Sequence, residues 1–391
     1  MVWHTPRLRP HGSPKDCLAQ PCLCYGGTTM GARIVTFAAL LVAAACGRSE
    51  MLPSATRGTA GSLGNGPGGL GAGGASGLGG AAGSVLATGG VPGRGGSGVH
   101  TIVEFALPGP VSQPRVIATG ADGNLWFTEY NVDIIGRITP TGVITEFPVQ
   151  SQDAGLFGIT AGRDGNLWFA EVLAHRVGFI TTSGKVTEFA LPGDTSLPKG
   201  VAIGPDGEPW FTGYLGDDVA RLTPSGISTV LSCGLDGVWV GIVAGPDGCL
   251  WLTGNSSDSL CRLCLDGKAT LFDLPNPGSH PWGIAAGPDG NLWFAEYGGN
   301  RLGRISGTGA ITEFPIPTAA SYPIDIVAGP DGNLWFTEDA GNNIGRITPE
   351  GEITEFPIPT LGSGPAGITA GPDGNLWFVE QTGNKIGRIN P

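Results

Sequence analysis

From about residue 100 onward the chain alternates short runs of β-branched and aromatic residues with clusters of Gly, Pro, Asn and Asp. Residues 324–359 show the unit. It reads Asp-Ile-Val-Ala-Gly, a Pro-Asp-Gly turn, Asn-Leu-Trp-Phe-Thr-Glu, a Gly-Asn turn, Asn-Ile-Gly-Arg-Ile, Thr-Pro-Glu-Gly, then Glu-Ile-Thr-Glu-Phe-Pro-Ile-Pro. Four β-patterned runs are thus separated by three turn signals. Pro-Asp-Gly makes a tight turn because Pro fixes φ, Asp bonds its own backbone and Gly accepts positive φ. The unit recurs on Trp126, Trp168, Trp210, Trp251, Trp293, Trp335 and Trp377, at intervals of 42 residues with a single interval of 41. Four strands per repeat of about 42 residues is the pattern of a propeller blade, so the sequence predicts an all-β, seven-bladed β-propeller with four-stranded blades.

The ends of the repeat array predict how the ring closes. The seventh unit stops at Ile386-Gly-Arg-Ile-Asn-Pro391 and lacks the final Thr-Glu-Phe strand, which is found instead at Thr101-Ile-Val-Glu-Phe-Ala-Leu-Pro108. Pairing the two completes the last blade with the N-terminal strand and removes an open sheet edge. Within a blade the expected order is an inner strand, then Leu-Trp-Phe, then Ile-Gly-Arg-Ile, then the outer Thr-Glu-Phe strand. A Trp repeated in every blade reads as packing between blades, each burial worth a few kcal/mol.

The segment before residue 100 has another character. Met30-Gly-Ala-Arg33 heads a twelve-residue apolar run over 34–45 that closes on Ala43-Ala44-Ala45-Cys46. This is the layout of a bacterial export signal, and the run is shorter than the roughly 20 residues that a membrane-spanning helix needs. Small residues before Cys46 resemble a lipoprotein signal in which Cys46 is lipidated, the alternative being plain secretion. Residues 30–46 are therefore read as a signal peptide, and 1–29 as a start codon assigned too early or an unstructured extension. Cys17, Cys22 and Cys24 lie in that extension without a second ligand pair at zinc spacing. Residues 47–99 read as a Gly-rich disordered tether, whose r.m.s. reach is about 35–40 Å. Residues 100–391 are the propeller, expected as a monomer.

Composition sharpens the division. The chain has 70 Gly and 32 Pro in 391 residues, and 19 of the Gly fall within 51–100. No three-residue period exists, which excludes collagen, and no long stretch is free of Gly and Pro, which excludes an α-rich fold. Residues 100–391 carry 14 Lys/Arg against 31 Asp/Glu, a net of −17. So acidic a body repels phosphate backbones, which argues against nucleic acid and favours cations or cationic ligands.

In a pseudo-symmetric ring, features shared by all blades are scaffold and departures are candidates for function. Five Leu-Trp-Phe strands end in Glu129, Glu171, Glu296, Glu338 and Glu380, while Gly213 and Gly254 stand in blades three and four. One reading is a partial carboxylate crown holding a divalent cation. The other pairs each Glu with the Arg of its own Ile-Gly-Arg-Ile strand, as Glu296 with Arg304, although blade two keeps Glu171 while Phe179 replaces the Arg. His280 lies on the loop leading into the inner strand of blade five, where a channel-mouth general base would sit, and a solvated loop residue is the plainer reading. His175 occupies a turn position that is Asn300 or Asn384 elsewhere. Cys249 and Cys264 are equidistant from a turn at Ser256-Ser257, so they face each other across a hairpin and are expected to form a disulfide. Cys261-Arg-Leu-Cys264 as a redox or zinc pair is the weaker alternative, and Cys233 and Cys261 are left over without geometric support for a bond.

The repeated Gly-Pro-Asp-Gly-Asn-Leu-Trp-Phe-Thr-Glu, Asn-Ile-Gly-Arg-Ile-Thr-Pro and Ile-Thr-Glu-Phe-Pro-Ile-Pro resemble the streptogramin lyase (virginiamycin B lyase) family over residues 100–391. The resemblance implies a seven-bladed propeller. For the resistance enzymes of the family it implies a Mg²⁺-dependent carbon–oxygen lyase that opens a cyclic depsipeptide by elimination, using glutamates and histidines. It places Mg²⁺ at the five glutamates and His280 as a displaced base. The family's histidines follow Pro at the start of an inner strand. Here those positions hold Arg115, Lys199, Trp282, Ile324 and Ala366, with Phe157 and Trp239 near them in the blades lacking Pro. Arg115, Lys199, Trp239 and Trp282 are accordingly the expected ligand contacts. The two functional expectations are an exported lyase and an exported, lipid-anchored module that binds a small-molecule or cell-envelope ligand at the channel mouth. In both, the only membrane association is the lipid anchor.

Overall fold

The computed structural model describes residues 100–391 except 192–196, 214–217, 224–225 and 236. The expected signal peptide, Cys46 lipidation site and tether lie outside the described residues. Twenty-eight strands, β1 (Ile102–Ala106) to β28 (Lys385–Ile389), form seven four-stranded antiparallel sheets. Six sheets take four consecutive strands each. The seventh has the order β1-β28-β27-β26, joining the N-terminal strand to Pro365–Ala370 (β26), Leu376–Glu380 (β27) and β28. The register runs from Ile102 opposite Ile389 to Ala106 opposite Lys385, so the ring closes as the chain ends predict.

The core lies between blades. Six of the seven repeated tryptophans are at most 2 % exposed and Trp251 is 3 % exposed, each within an apolar cluster formed by adjoining blades. Each indole N–H donates to the Asp of its own turn, as Trp126 to Asp122 at 3.1 Å and Trp335 to Asp331 at 3.1 Å. That Asp also accepts from the Asn two residues on, so one carboxylate shapes the turn and satisfies a buried donor. The Arg of the third strand then stacks over the Trp and the outer-strand Phe, as Arg304 does at 5.3 Å from the Trp293 ring and 5.4 Å from Phe314. In blade two Phe179 fills this place, 5.0 Å from Trp168.

In five blades this packing goes with Gly in the third strand, while blade three holds Ala220 opposite Phe211. A Cβ at Gly345 would lie 2.0 Å from the Phe336 ring that faces it across the sheet. Blade four escapes the constraint because Leu252 replaces the Phe, which leaves room opposite it for Cys261. Cys261 bonds to Cys233 and so ties the segment leaving blade three to the third strand of blade four. Cys249 and Cys264 are bonded across the hairpin as the spacing predicts. Replacing Cys249 and Cys264 together with serine is expected to lower unfolding stability by about 3 kcal/mol, the value for a loop of about 15 residues. A urea titration of the double variant checks it; an unchanged midpoint would count against a stabilising crosslink.

Candidate functional site at the channel mouth

All seven inner strands line one central cavity of about 150 Å³. Each of them carries a register shift after its first residues, as between Pro114 and Ile117 or Pro281 and Ile284. The bulge lifts the second and third residues out of the pairing pattern, which is how a sheet aims side chains at a site. In four blades a buried Thr of the adjacent strand (Thr128, Thr212, Thr253 or Thr337) satisfies freed groups. Thr128 accepts from Val116 N–H at 3.3 Å and donates to the Phe157 carbonyl of the next blade at 2.6 Å. Thr253 and Thr337 donate likewise to the carbonyls of Trp282 and Ala366. These contacts fix the backbone from which Arg115, Phe157, Lys199, Val240, Trp282, Ile324 and Ala366 project into the cavity.

Three of the four expected ligand contacts are therefore brought together. Lys199 is 7 % exposed, with its Nζ 4.1 Å from the Trp282 ring centre and 4.8 Å from that of Phe157. Burial, reinforced by the nearby Arg115 charge, pushes its ammonium pKa down to about 7. Arg115 stacks 5.0 Å from the Tyr130 ring and donates to Gln381 Oε1 at 2.5 Å. Gln381 in turn donates to Asp339 at 3.0 Å. From Trp282 in the lining an aromatic run continues outward through Tyr297 and Tyr322, with successive ring centres 5.7 and 5.0 Å apart.

The fourth, Trp239, does not reach the cavity. It pairs with Gly254 as Pro281 pairs with Glu296 and is fully buried in a blade core, so Val240 takes the lining position instead. Trp239 stands twelve residues before its blade tryptophan, where five blades have Pro and blade two has Leu156.

His280 is absent from the cavity lining as well. It adopts φ 46° before Pro281, and that left-handed backbone turns it towards blade four. There its N–H donates to Asp258 at 2.8 Å, and its Nδ1 lies 2.8 Å from the Asn255 carbonyl oxygen. His175 also has positive φ, as do Asn300 and Asn384, which confirms it as a turn residue.

The five glutamates are fully buried, each within its own blade, and none lines the cavity. A serine of the loop leading into the blade sits beside them; Ser279 Oγ donates to Glu296 at 2.7 Å. Each also neighbours a carboxylate of its blade's outer strand: Glu146, Glu188, Glu313, Glu355 or Glu104. In blades three and four both members vanish together, Gly213 with Val230 and Gly254 with Leu271 at the matching register positions. Burial first, with the neighbouring carboxylate adding to it, raises Glu129, Glu171 and Glu296 to about 7 and Glu338 and Glu380 to about 8. The expected partner of each, the Arg of the Ile-Gly-Arg-Ile strand, goes elsewhere. Arg304 faces Asp289 at 3.8 Å, while Arg301 stands 3.6 Å from Glu296.

Sequence reading missed three features of the mouth. Tyr130, Tyr297, Asp339 and Gln381 each follow the strand glutamate directly and differ from blade to blade, a departure that could have marked them. Asp325 stands in the lining where five of the other inner strands have Gly and blade one has Val116. Burial raises its pKa to about 6, and it accepts from the N–H groups of Ile326 at 2.9 Å and Ile368 at 3.1 Å. The third is sign: inside an acidic body, the channel places two cations among aromatic rings.

Mg²⁺ does not fit this lining. Such an ion wants several oxygen ligands in an octahedron. Asp325 is engaged with backbone N–H groups, Asp339 with Gln381, and Arg115 and Lys199 add positive charge. Among the described residues no three His, Cys, Asp or Glu converge on a metal position.

Comparison with known proteins places the fold. The profile of the virginiamycin B lyase family matches residues 93–235 and 194–391. The chain belongs to the virginiamycin B lyase family. A solved streptogramin B lyase structure is 38 % identical, with a TM-score of 0.72, over 74 % of this chain and 97 % of that one. Virginiamycin B lyase from Staphylococcus aureus is 36 % identical with a TM-score of 0.71, over 75 % of this chain and 99 % of that one. A catalytically inactive His-to-Ala variant of that enzyme, solved with quinupristin, aligns with the same values. Hydrazine synthase of Kuenenia stuttgartiensis, at 14 % identity and a TM-score of 0.61, shares the fold alone. No match is found among curated proteins.

Proposed function

We propose that this member of the virginiamycin B lyase family is an exported, lipid-anchored propeller that binds a small aromatic, anionic ligand at its channel mouth without turning it over. The observation that carries this reading is the buried Lys199 framed by the Phe157 and Trp282 rings, with Arg115 beside it. A buried lysine beside a half-buried arginine attracts carboxylate or phosphate, and the neighbouring rings add stacking area. Export is supported by the signal-like residues 30–46 and by two disulfides, which persist in oxidising compartments.

A second reading, a carbon–oxygen lyase opening a cyclic depsipeptide, is favoured by the 38 % identity to a streptogramin B lyase. Against it stand the absence of His at the inner-strand positions, the engaged Nδ1 of His280 and the buried state of the five glutamates. The purified chain is tested with 4-methylbenzoate, a small aromatic carboxylate, by calorimetry, and with quinupristin by mass spectrometry for ring-opened product with Mg²⁺ or with EDTA. Saturable binding of the carboxylate weakened at least about tenfold by Trp282→Ala, with the quinupristin ring intact, is expected. Linearised product that disappears with EDTA would overturn the binding reading in favour of the lyase.

A further inference from the structure

We propose that Lys199 is a nucleophilic amine that condenses with an aldehyde or ketone group of a ligand held in the channel mouth. The inference rests on the mouth being the ligand site and goes further by naming a covalent chemistry for it. Three observations carry it. Lys199 lines the cavity while being 7 % exposed, so a ligand in the channel lies within reach of its side chain. Its Nζ lies over two ring faces, and such apolar surroundings replace the water that would otherwise hold an ammonium charged. Arg115 adds like charge from blade one. A lysine in a desolvated pocket beside a second cation is the arrangement that frees an amine lone pair near neutral pH.

The other lysines of the propeller are placed differently. Lys185 and Lys268 are exposed, Lys268 with Asp266 raising its pKa, and Lys385 donates to Glu104 at 3.1 Å.

In the reaction the lone pair of neutral Nζ attacks the carbonyl carbon. A C–N bond forms as the carbonyl π bond opens to a carbinolamine. Proton transfer from nitrogen to the hydroxyl lets water leave, giving an imine. No oxidant or reductant is consumed, and hydrolysis reverses the step. Arg115 is placed to hold a carboxylate on the same ligand.

The test uses 4-formylbenzoate, an aromatic aldehyde bearing a carboxylate, with cyanoborohydride to reduce the imine to a stable secondary amine. Labelling is followed by intact mass and peptide mapping between pH 6 and 9. At pH 7 Lys199 is expected to label at least about tenfold faster than Lys185, Lys268 or Lys385, because a far larger fraction of it is neutral. Its rate should level off above about pH 7, while those of the others continue to rise. Lys199→Arg keeps a cation over the rings but should abolish the fast adduct, and Lys199→Met should do the same. Labelling of Lys199 no faster than the other three would overturn the proposal. A parallel arm uses 4-methylbenzoate, which has no carbonyl to condense. If it binds saturably and Arg115→Gln weakens it, while Lys199 fails to label selectively, the covalent proposal falls and the binding reading stands. If it does not bind and Lys199 is unselective, both fall.

Discussion

Deleting residues 101–107 from the full chain is expected to cost roughly 5–8 kcal/mol of unfolding stability and to leave a protein that self-associates. The segment supplies the outer strand of blade seven and hence the closure of the ring. It buries Phe105 against Trp377, ring centres 5.5 Å apart, and Leu107 at 7 % exposure. Each such burial is worth roughly 2 kcal/mol. The ladder to β28 adds several hydrogen bonds at about 1 kcal/mol each. Glu104 also accepts from the Thr360 N–H at 3.0 Å and from Lys385 Nζ, so its loss leaves a half-buried ammonium without its carboxylate. Deletion would bare β28 as an edge strand beside Trp377 and Ile386, a template for pairing between chains. Urea melts with light scattering read both effects, and a peptide of sequence HTIVEFALP added in excess should restore the monomer. A deletion variant that melts like the parent and stays monomeric would show that closure contributes little.

The second large effect is on pH. Glu129, Glu171 and Glu296, raised to about 7, and Glu338 and Glu380, raised to about 8, hold protons in the folded state that the unfolded chain has released. Their contribution to stability is complete below the unfolded value of 4.5 and is lost as pH rises through 7 and 8. The turn aspartates act in the opposite direction. Asp122, Asp206, Asp247, Asp289, Asp331 and Asp373 lie below 3.8, burial raising them but being outweighed by bonds from Asn, Trp, Arg or backbone N–H groups. Their contribution is therefore lost in acid. Stability is accordingly expected to be greatest at about pH 4–5 and to fall steadily from there as pH rises to about 8. With each shift worth up to roughly 3 kcal/mol, the Tm should drop by at least about 10 °C from pH 6 to pH 9. Glu338→Gln mimics the protonated acid. It should recover about 2–4 °C at pH 9 and change little at pH 5. A flat melting profile between pH 6 and 9 would mean that these carboxylates are ionised and compensated in the fold.

The glutamates also show how far a sequence pattern carries. That five strands end in Glu and two in Gly is visible along the chain, and so is the matching loss at Val230 and Leu271. Which side chain each Glu meets is not visible. A crown, an ion pair with Arg304 and a buried pair with Glu313 fit the same letters, because the outer strand reaches the second strand's glutamate only through the twist and depth of the folded blade. Arg304 looks like the nearest cation in the pattern, yet the opposing Asp289 and the Trp293 and Phe314 rings hold it on the other face of the sheet.

The amino-acid sequence by itself determined the blade, the number of blades, the closing strand and the hairpin disulfide of Cys249 with Cys264. These rest on local codes: alternation along a strand, turn residues of fixed φ, and equal distance from a turn. The tertiary structure decided the site. Bulges at the start of the inner strands aim Arg115, Lys199 and Trp282 into one cavity, and the same register puts Val240 there and Trp239 in the core. Left-handed backbone at His280 turns that ring away. These outcomes depend on side chains some 40 residues apart becoming neighbours only when seven blades meet around one axis. The same convergence gathers a buried lysine, a half-buried arginine and aromatic side chains in a propeller whose residues 100–391 are acidic overall.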